Sequence, residues 1–140
     1  MKRIISPLAL LILFGLFFIM NPLSAQEKET QVTKVDVYYF HATKRCPTCM
    51  AIEKETKKTL NGKYADQMES GKIKLHVLNL DEKENKGLVE KFEIYGSSLI
   101  LVPSSGAEVV NLTTKAFMYA KDQPFAFRKE LKEKLNELLD

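Results

Sequence analysis

The sequence predicts an α/β fold in which helices flank a central sheet, and three observations lead to this prediction. Apolar runs typical of strands alternate with amphipathic segments typical of helices, in the order β-α-β-α-β-β-α. The chain has 140 residues, 28% charged and 45% hydrophobic, which suits a single domain with a packed core. A Cys-x-x-Cys motif, Cys46 to Cys49, follows the first predicted strand and lies at the start of the first predicted helix.

The first 25 residues have the pattern of a secretory signal. Lys2 and Arg3 precede an unbroken apolar run from Leu8 to Met20, and small residues follow up to Ala25. As a helix this run spans about 20 Å, short of the roughly 30 Å core of a bilayer. We therefore predict a signal peptide over residues 1–25, with an N-terminal membrane anchor as the alternative if the leader is not cleaved. Either outcome predicts a periplasmic or secreted protein in an oxidising compartment.

The first half of the body predicts a central strand followed by a helix. Residues 26–34 are polar and predict a flexible lead-in to a domain over residues 35–140. Residues 35–40 are β-branched and aromatic, and their nearly continuous apolar character predicts a strand covered on both faces. Residues 46–60 have helical spacing, with Pro47 in the first turn and Asn61-Gly62 as the stop.

The remaining segments predict a strand followed by a short helix, then a hairpin, and finally a closing helix. Residues 73–80 alternate as a strand with His76 on its polar, exposed side, and residues 82–92 form a short helix. Residues 98–102 and 108–112 predict the two strands of a hairpin. Residues 125–139 predict an amphipathic closing helix. The lysine–glutamate run of residues 53–58 predicts a solvated helix face.

The two cysteines carry the strongest functional signal. Their spacing places both sulfurs on a first helical turn, where unpaired N–H groups and the positive end of the helix dipole favour a thiolate. Lys44 and Arg45 add positive charge of the same effect. We expect Cys46 to be the more exposed, attacking sulfur and Cys49 to resolve the mixed disulfide. A static bridge and half of a metal site are the alternatives to a redox pair.

Residues 38–49, YYFHATKRCPTC, together with the element order resemble the thioredoxin-like superfamily in its minimal form. The resemblance implies a central mixed sheet flanked by helices, with Cys46 as nucleophile and Cys49 as resolving cysteine. It also implies exchange with the thiols and disulfides of client proteins, a redox partner protein that resets the pair, and no small organic cofactor.

The sequence departs from that family's pattern at three places around the motif. The family's cis-proline position falls on Gly96 or Ser97, its buried acid is replaced by Phe40, and its tryptophan beside the motif is replaced by Arg45. We expect the following residues to line the site: Arg45, Pro47, Thr48, Ser97 and Ser98.

His41 is a further candidate, since it ends the first strand five residues before Cys46. It is a candidate proton shuttle, or a third ligand with Cys46 and Cys49 for a soft ion such as Cu(I). Its ordinary interpretation is a surface histidine at a strand end. A non-catalytic interaction module with a stabilising bridge is a third hypothesis for the protein.

The charge balance argues against nucleic acid as a partner. The chain has 21 basic and 18 acidic residues, and removal of Lys2 and Arg3 with the leader leaves 19 against 18. Nucleic-acid binding requires a concentrated basic surface, and a body this close to neutral does not indicate one. Membrane contact is expected only if the leader is uncleaved.

Overall fold

A computed structural model describes residues 33–140, so the predicted leader and most of the predicted lead-in lie outside the described residues. In this part of the chain, four strands and five α-helices follow one another, with a short 3₁₀ turn before the third helix. They are β1 Val35–His41, α1 Pro47–Lys63, α2 Ala65–Glu69, β2 Ile73–Asn79, α3 Lys86–Lys91, β3 Ser98–Pro103, β4 Val110–Asn111, α4 Thr113–Tyr119 and α5 Pro124–Leu139. Within residues 33–140, none of these helices has both the length and the apolar character needed to span a bilayer.

The sheet is mixed, and β1 lies in its interior. The strand order is β2-β1-β3-β4, with β1 parallel to β2 and antiparallel to β3, while β4 is antiparallel to β3. Val35, Val37 and Tyr39 are buried on one face of β1. On the other face Phe40 is buried, while Asp36 and Tyr38 are half-buried, so the second face is covered less completely. The predicted α/β fold with a central mixed sheet is confirmed.

The hydrophobic clusters on the two faces of the sheet differ in size. The larger cluster packs the odd-numbered residues of β1 against α1, α4 and α5, and Phe127, Leu131 and Leu135 are its fully buried contributions from α5. The smaller cluster on the opposite face centres on Phe40, Ile94 and Ile100. The cysteine-bearing helix therefore rests on the better-packed face.

The helix α1 is longer than the sequence predicts. It continues through Asn61 and Gly62 to Lys63, and Tyr64 follows with 2% of its surface exposed. The Tyr64 hydroxyl lies 2.8 Å from Asn136 Oδ1 and 3.1 Å from the Lys132 carbonyl oxygen, both on α5. Burial of this large side chain extends the helix past two residues that locally favour a stop.

Helix α4 is missing from the sequence-based prediction. Its packing residues are spaced by four, and Leu112, Ala116 and Ala120 are all buried. The preceding strand β4 is correspondingly shorter than predicted, at two residues, although its antiparallel pairing with β3 confirms the hairpin. The residues that this segment buries are only these three, small or medium in size, and that is a weak periodic signal in sequence.

Two polar positions differ from their predicted surroundings. His76 is half-buried and not simply exposed, because its ring stacks on Tyr38 at 4.5 Å and its Nε2 lies 2.7 Å from Asp36 Oδ1. The supposedly solvated run of residues 53–58 contains Glu55 and Thr56, which are 7% and 1% exposed. Glu55 is buried because it forms an ion pair with Arg128 of α5.

Candidate active site

Cys46 and Cys49 form a disulfide at the N-terminus of α1, just beyond the end of β1. Their Cα atoms are 5.1 Å apart. Cys46 is exposed, whereas Cys49 is 7% exposed and packs on the sheet. The exposures are those expected from the sequence, with Cys46 as the sulfur that a large partner can reach.

The helix terminus stabilises negative charge on Cys46. Cys46 is the N-cap residue, and its Sγ accepts a hydrogen bond of 3.1 Å from the backbone N–H of Cys49. Pro47 occupies the start of the described helix α1, whose first turn has no acidic residue to offset the positive end of the dipole. When the disulfide opens, the same N–H is placed to donate to a Cys46 thiolate, which lowers the cost of forming it.

Tyr39, on the central strand β1, anchors the CxxC motif to the sheet through a hydrogen bond. This fully buried side chain donates a hydrogen bond of 2.7 Å from its hydroxyl to the carbonyl oxygen of Cys49. Burial raises the pKa of the Tyr39 phenol, against the opposing influence of the Arg45 cation. Tyr39 therefore remains a neutral donor that fixes the first turn of α1 to the sheet.

A network of charges flanks the disulfide. Arg45 forms an ion pair with Glu53, and Glu53 also accepts a hydrogen bond of 2.5 Å from Lys57. Burial by itself would raise the pKa of Glu53, but the hydrogen bonds from Lys57 and Arg45 hold that pKa below its ordinary value. Burial opposes the charge on Arg45, yet its contacts with Glu53 and Tyr39 raise the pKa of the guanidinium. Both groups are therefore charged at neutral pH.

The segment between β1 and α1 is tied to the end of β2. The backbone N–H of Thr43 donates a 2.8 Å hydrogen bond to Asp81 Oδ2, and this bond lowers the pKa of Asp81. The carboxylate of Asp81 is thus engaged by this loop. The tie orients the chain that leads into Cys46.

His41 lies on the same face of β1 as Tyr39, with the two ring centroids 6.1 Å apart. Its Nδ1 is 3.1 Å from the carbonyl oxygen of Ala42, an acceptor, so we assign the ring hydrogen to Nδ1. In the described part of the chain no hydrogen bond joins His41 to either cysteine. The arrangement leaves Nε2 as the ring atom available to a proton or a partner.

The two serines lie at the same end of the sheet as the disulfide. Ser98 is opposite Phe40 in the β1–β3 pairing, and its Oγ donates a 2.9 Å hydrogen bond to the Gly96 carbonyl oxygen. Ser97 and Ser98 line an open depression of about 560 Å³ with Tyr95, which is 92% exposed. Within residues 33–140 neither cysteine lines this depression, and neither serine is hydrogen-bonded to the disulfide.

The other predicted lining residues differ in exposure. Pro47 is exposed, Thr48 is partly buried, and the side chain of Arg45 is 28% exposed. Among the residues that the structure describes, no group of three or more histidine, cysteine, aspartate or glutamate side chains is arranged to hold a metal ion. In the disulfide form both sulfurs are bonded to each other.

Sequence reasoning missed the roles of Glu53 and Tyr39 at the site. Glu53 reads as part of a solvated lysine–glutamate run, and Tyr39 as an ordinary core residue. A signal for Glu53 was present, because it follows Cys49 by four residues and so shares a side of the helix with it. The hydrogen bond from Tyr39 depends on how α1 sits on the sheet, which local sequence does not encode.

Comparisons with known proteins add little to this geometry. No protein-family model matches the chain, and no curated protein matches it. Among solved structures, a chain titled "Structure of a malarial protein" is 23% identical, with a TM-score of 0.45, over 69% of this chain and 96% of that one. The class of protein rests on the molecule itself, a small α/β domain with a CxxC-spaced disulfide, consistent with a thioredoxin-like arrangement.

Proposed function

We propose that this protein is a thiol–disulfide oxidoreductase of the thioredoxin-like superfamily, acting on protein disulfides through Cys46 and Cys49. The observation that carries the proposal is the asymmetric disulfide at the N-terminus of α1. Its exposed sulfur accepts the Cys49 N–H, while its partner is buried. This combination favours attack at one sulfur and expulsion of a thiolate at a defined position.

In the oxidising direction, a client thiolate attacks Cys46 Sγ, the Cys46–Cys49 bond breaks, and Cys49 leaves as a thiolate that takes up a proton. A second client thiolate then attacks the client sulfur of the mixed disulfide and releases the Cys46 thiolate. The client loses two electrons and the pair gains them. The reverse sequence reduces a client disulfide and restores the bridge.

The surroundings of the two sulfurs suit these separate tasks. Cys46 is reachable and has a backbone donor for its thiolate. Cys49 is held by the buried bond from Tyr39 to its carbonyl oxygen, so it stays within reach of the mixed disulfide. The proposal includes a redox partner protein that resets the pair and a periplasmic or secreted location.

Equilibration of the purified protein in graded glutathione buffers tests this function. We expect a reversible two-electron transition, and its midpoint sets the direction of electron flow. A value above about −180 mV indicates an oxidant or isomerase, and one near −270 mV a reductant. We also expect Cys49→Ser to accumulate a mixed disulfide with a client protein, whereas Cys46→Ser accumulates none.

The alternatives give different results in the same experiment. Thiols that remain reduced throughout and bind Cu(I) stoichiometrically, with binding abolished in Cys46→Ser, would replace the redox proposal with metal binding. A bridge that never opens in any buffer would instead assign the protein to the non-catalytic interaction modules.

A further inference from the structure

The residues that flank the motif are joined to each other. Arg45, directly before Cys46, forms an ion pair with Glu53, one helical turn after Cys49. The guanidinium carbon of Arg45 also lies 5.9 Å from the centre of the Tyr39 ring. The Tyr39 hydroxyl in turn donates a hydrogen bond to the carbonyl oxygen of Cys49. One positive and one negative charge therefore lie on the residue before the motif and on the residue one helical turn after it.

We propose that Arg45 and Glu53 are positioning residues that set how strongly the site favours a thiolate at Cys46. Arg45 favours the thiolate, Glu53 opposes it, and their pairing holds the two influences close to balance. Lys57, which also contacts Glu53, offsets part of the negative charge. This inference rests on the proposed function.

Partial burial gives these charges their influence. The side chains of Arg45 and Glu53 are 28% and 16% exposed, so water screens them less than the freely exposed Lys44. Like charge raises the cost of a thiolate and opposite charge lowers it. Loss of either partner should therefore change the cost of forming a thiolate at Cys46, in a direction set by the charge that is removed.

The guanidinium of Arg45 has an unused donor as well. Its Nε is buried and has no hydrogen-bond partner among the described residues. A buried unpaired donor is costly. A thiolate at Cys46, the residue next to Arg45 in the chain, would add a negative charge that this cation favours.

Alkylation of Cys46 by iodoacetamide measures this effect directly. In the full chain with Cys49→Ser, Cys46 is the single thiol, because the sequence has only two cysteines. The rate is followed against pH with Glu53→Gln, Arg45→Gln or Arg45→Lys added. Glu55→Gln is the matched control, since it removes another largely buried, ion-paired glutamate of α1 whose partner is on α5.

The comparison is made at a fixed pH below the midpoint of the parent protein's rate-against-pH curve. There we expect Glu53→Gln to speed alkylation of Cys46 and Arg45→Gln to slow it, each by about three- to tenfold. Arg45→Lys, which keeps the charge, should remain near the parent rate, as should Glu55→Gln. Opposite signs are the diagnostic result, because structural disruption would move both variants in one direction. Circular dichroism confirms that each variant is folded.

Two results would overturn the inference. In one, the alkylation rates of Glu53→Gln and Arg45→Gln equal that of the Glu55→Gln control; in the other, both rates shift in the same direction. The glutathione equilibrium of the unsubstituted protein is measured in parallel. Reversible exchange there, with unshifted alkylation, rejects the role of Arg45 and Glu53 and leaves the redox function standing. A disulfide that does not exchange rejects the function itself.

Discussion

Helix α1 contributes the glutamates of two arginine–glutamate pairs, and the two pairs differ in what they connect. Glu53 pairs with Arg45, eight residues away, whereas Glu55 pairs with Arg128, 73 residues away. The first pair joins the residue before the CxxC motif to the residue one helical turn after it, and it remains partly exposed. The second pair joins α1 to α5, with side chains 9% and 13% exposed. The same chemistry thus shapes a site in one case and fixes the packing of two helices in the other.

This difference predicts that the long-range pair matters more for stability and the local pair more for reactivity. A buried ion is costly to leave without its partner, while a pair near water loses much of its value to screening. Free energies of unfolding should therefore separate the two pairs, with the largest loss at Arg128 and a smaller one at Glu53.

Arg128→Ala should produce the largest loss. It leaves the Glu55 carboxylate buried without its cation, and it also removes the guanidinium that lies 4.4 Å from the Phe125 ring. We expect a decrease in unfolding free energy of about 3 kcal/mol, measured by urea denaturation. The alkylation rate of Cys46 should stay unchanged in the folded variant. A loss below about 1 kcal/mol would indicate a pair that water solvates like a surface bridge.

Replacement of both partners sharpens this test. Glu55→Leu combined with Arg128→Leu removes both charges and leaves neither one buried alone. Such hydrophobic replacements of buried pairs are often neutral or stabilising. We expect the double variant to recover most of the stability that Arg128→Ala loses. Recovery would assign the loss to the unpaired carboxylate, and no recovery would assign it to the shape of the contact.

Glu53→Gln should cost less, about 1 kcal/mol at pH 7, because its pair is closer to water and Lys57 remains nearby. The cost should also depend on pH. The folded pKa of Glu53 lies below its ordinary value of 4.5, so its charge stabilises the fold above that value. This contribution is lost as the pH falls through the lower, folded pKa.

Urea denaturation of the parent protein and Glu53→Gln between pH 7 and pH 3 measures this dependence. We expect the difference in unfolding free energy between the two proteins to shrink below pH 4.5. A difference that stays constant down to pH 3 would contradict the contribution of the Glu53 charge.

Glu133→Gln should have the smallest effect. The Lys129–Glu133 pair spans 3.7 Å on the surface of α5, with side chains 77% and 53% exposed. Pairs of this kind contribute about 0.3 kcal/mol and are screened by salt. A difference in unfolding free energy of more than 1 kcal/mol, measured by urea denaturation at 150 mM salt, would contradict the ranking by burial.

Much of the fold could be predicted from the sequence, because its signals are local. The apolar run of β1 and the periodic leucines of α5 match the structure closely, and β2 forms where its alternation predicts a strand. The errors occur where packing outweighs local preference. Gly62 stays helical because burial of Tyr64 extends the helix. Helix α4 was not predicted because the residues buried along it are only three, small or medium in size.

At the site, the same distinction holds. The sequence alone determined the position of Cys46 and Cys49 at a helix start after the central strand, since strand composition, proline placement and cysteine spacing are properties of short segments. Only the tertiary structure decided that Tyr39 holds Cys49, that Glu53 faces Arg45 and that Glu55 faces Arg128. A lysine–glutamate run has the same local pattern on a solvated helix and on a packed one. Which of its charges are buried depends on the neighbours that folding brings against it.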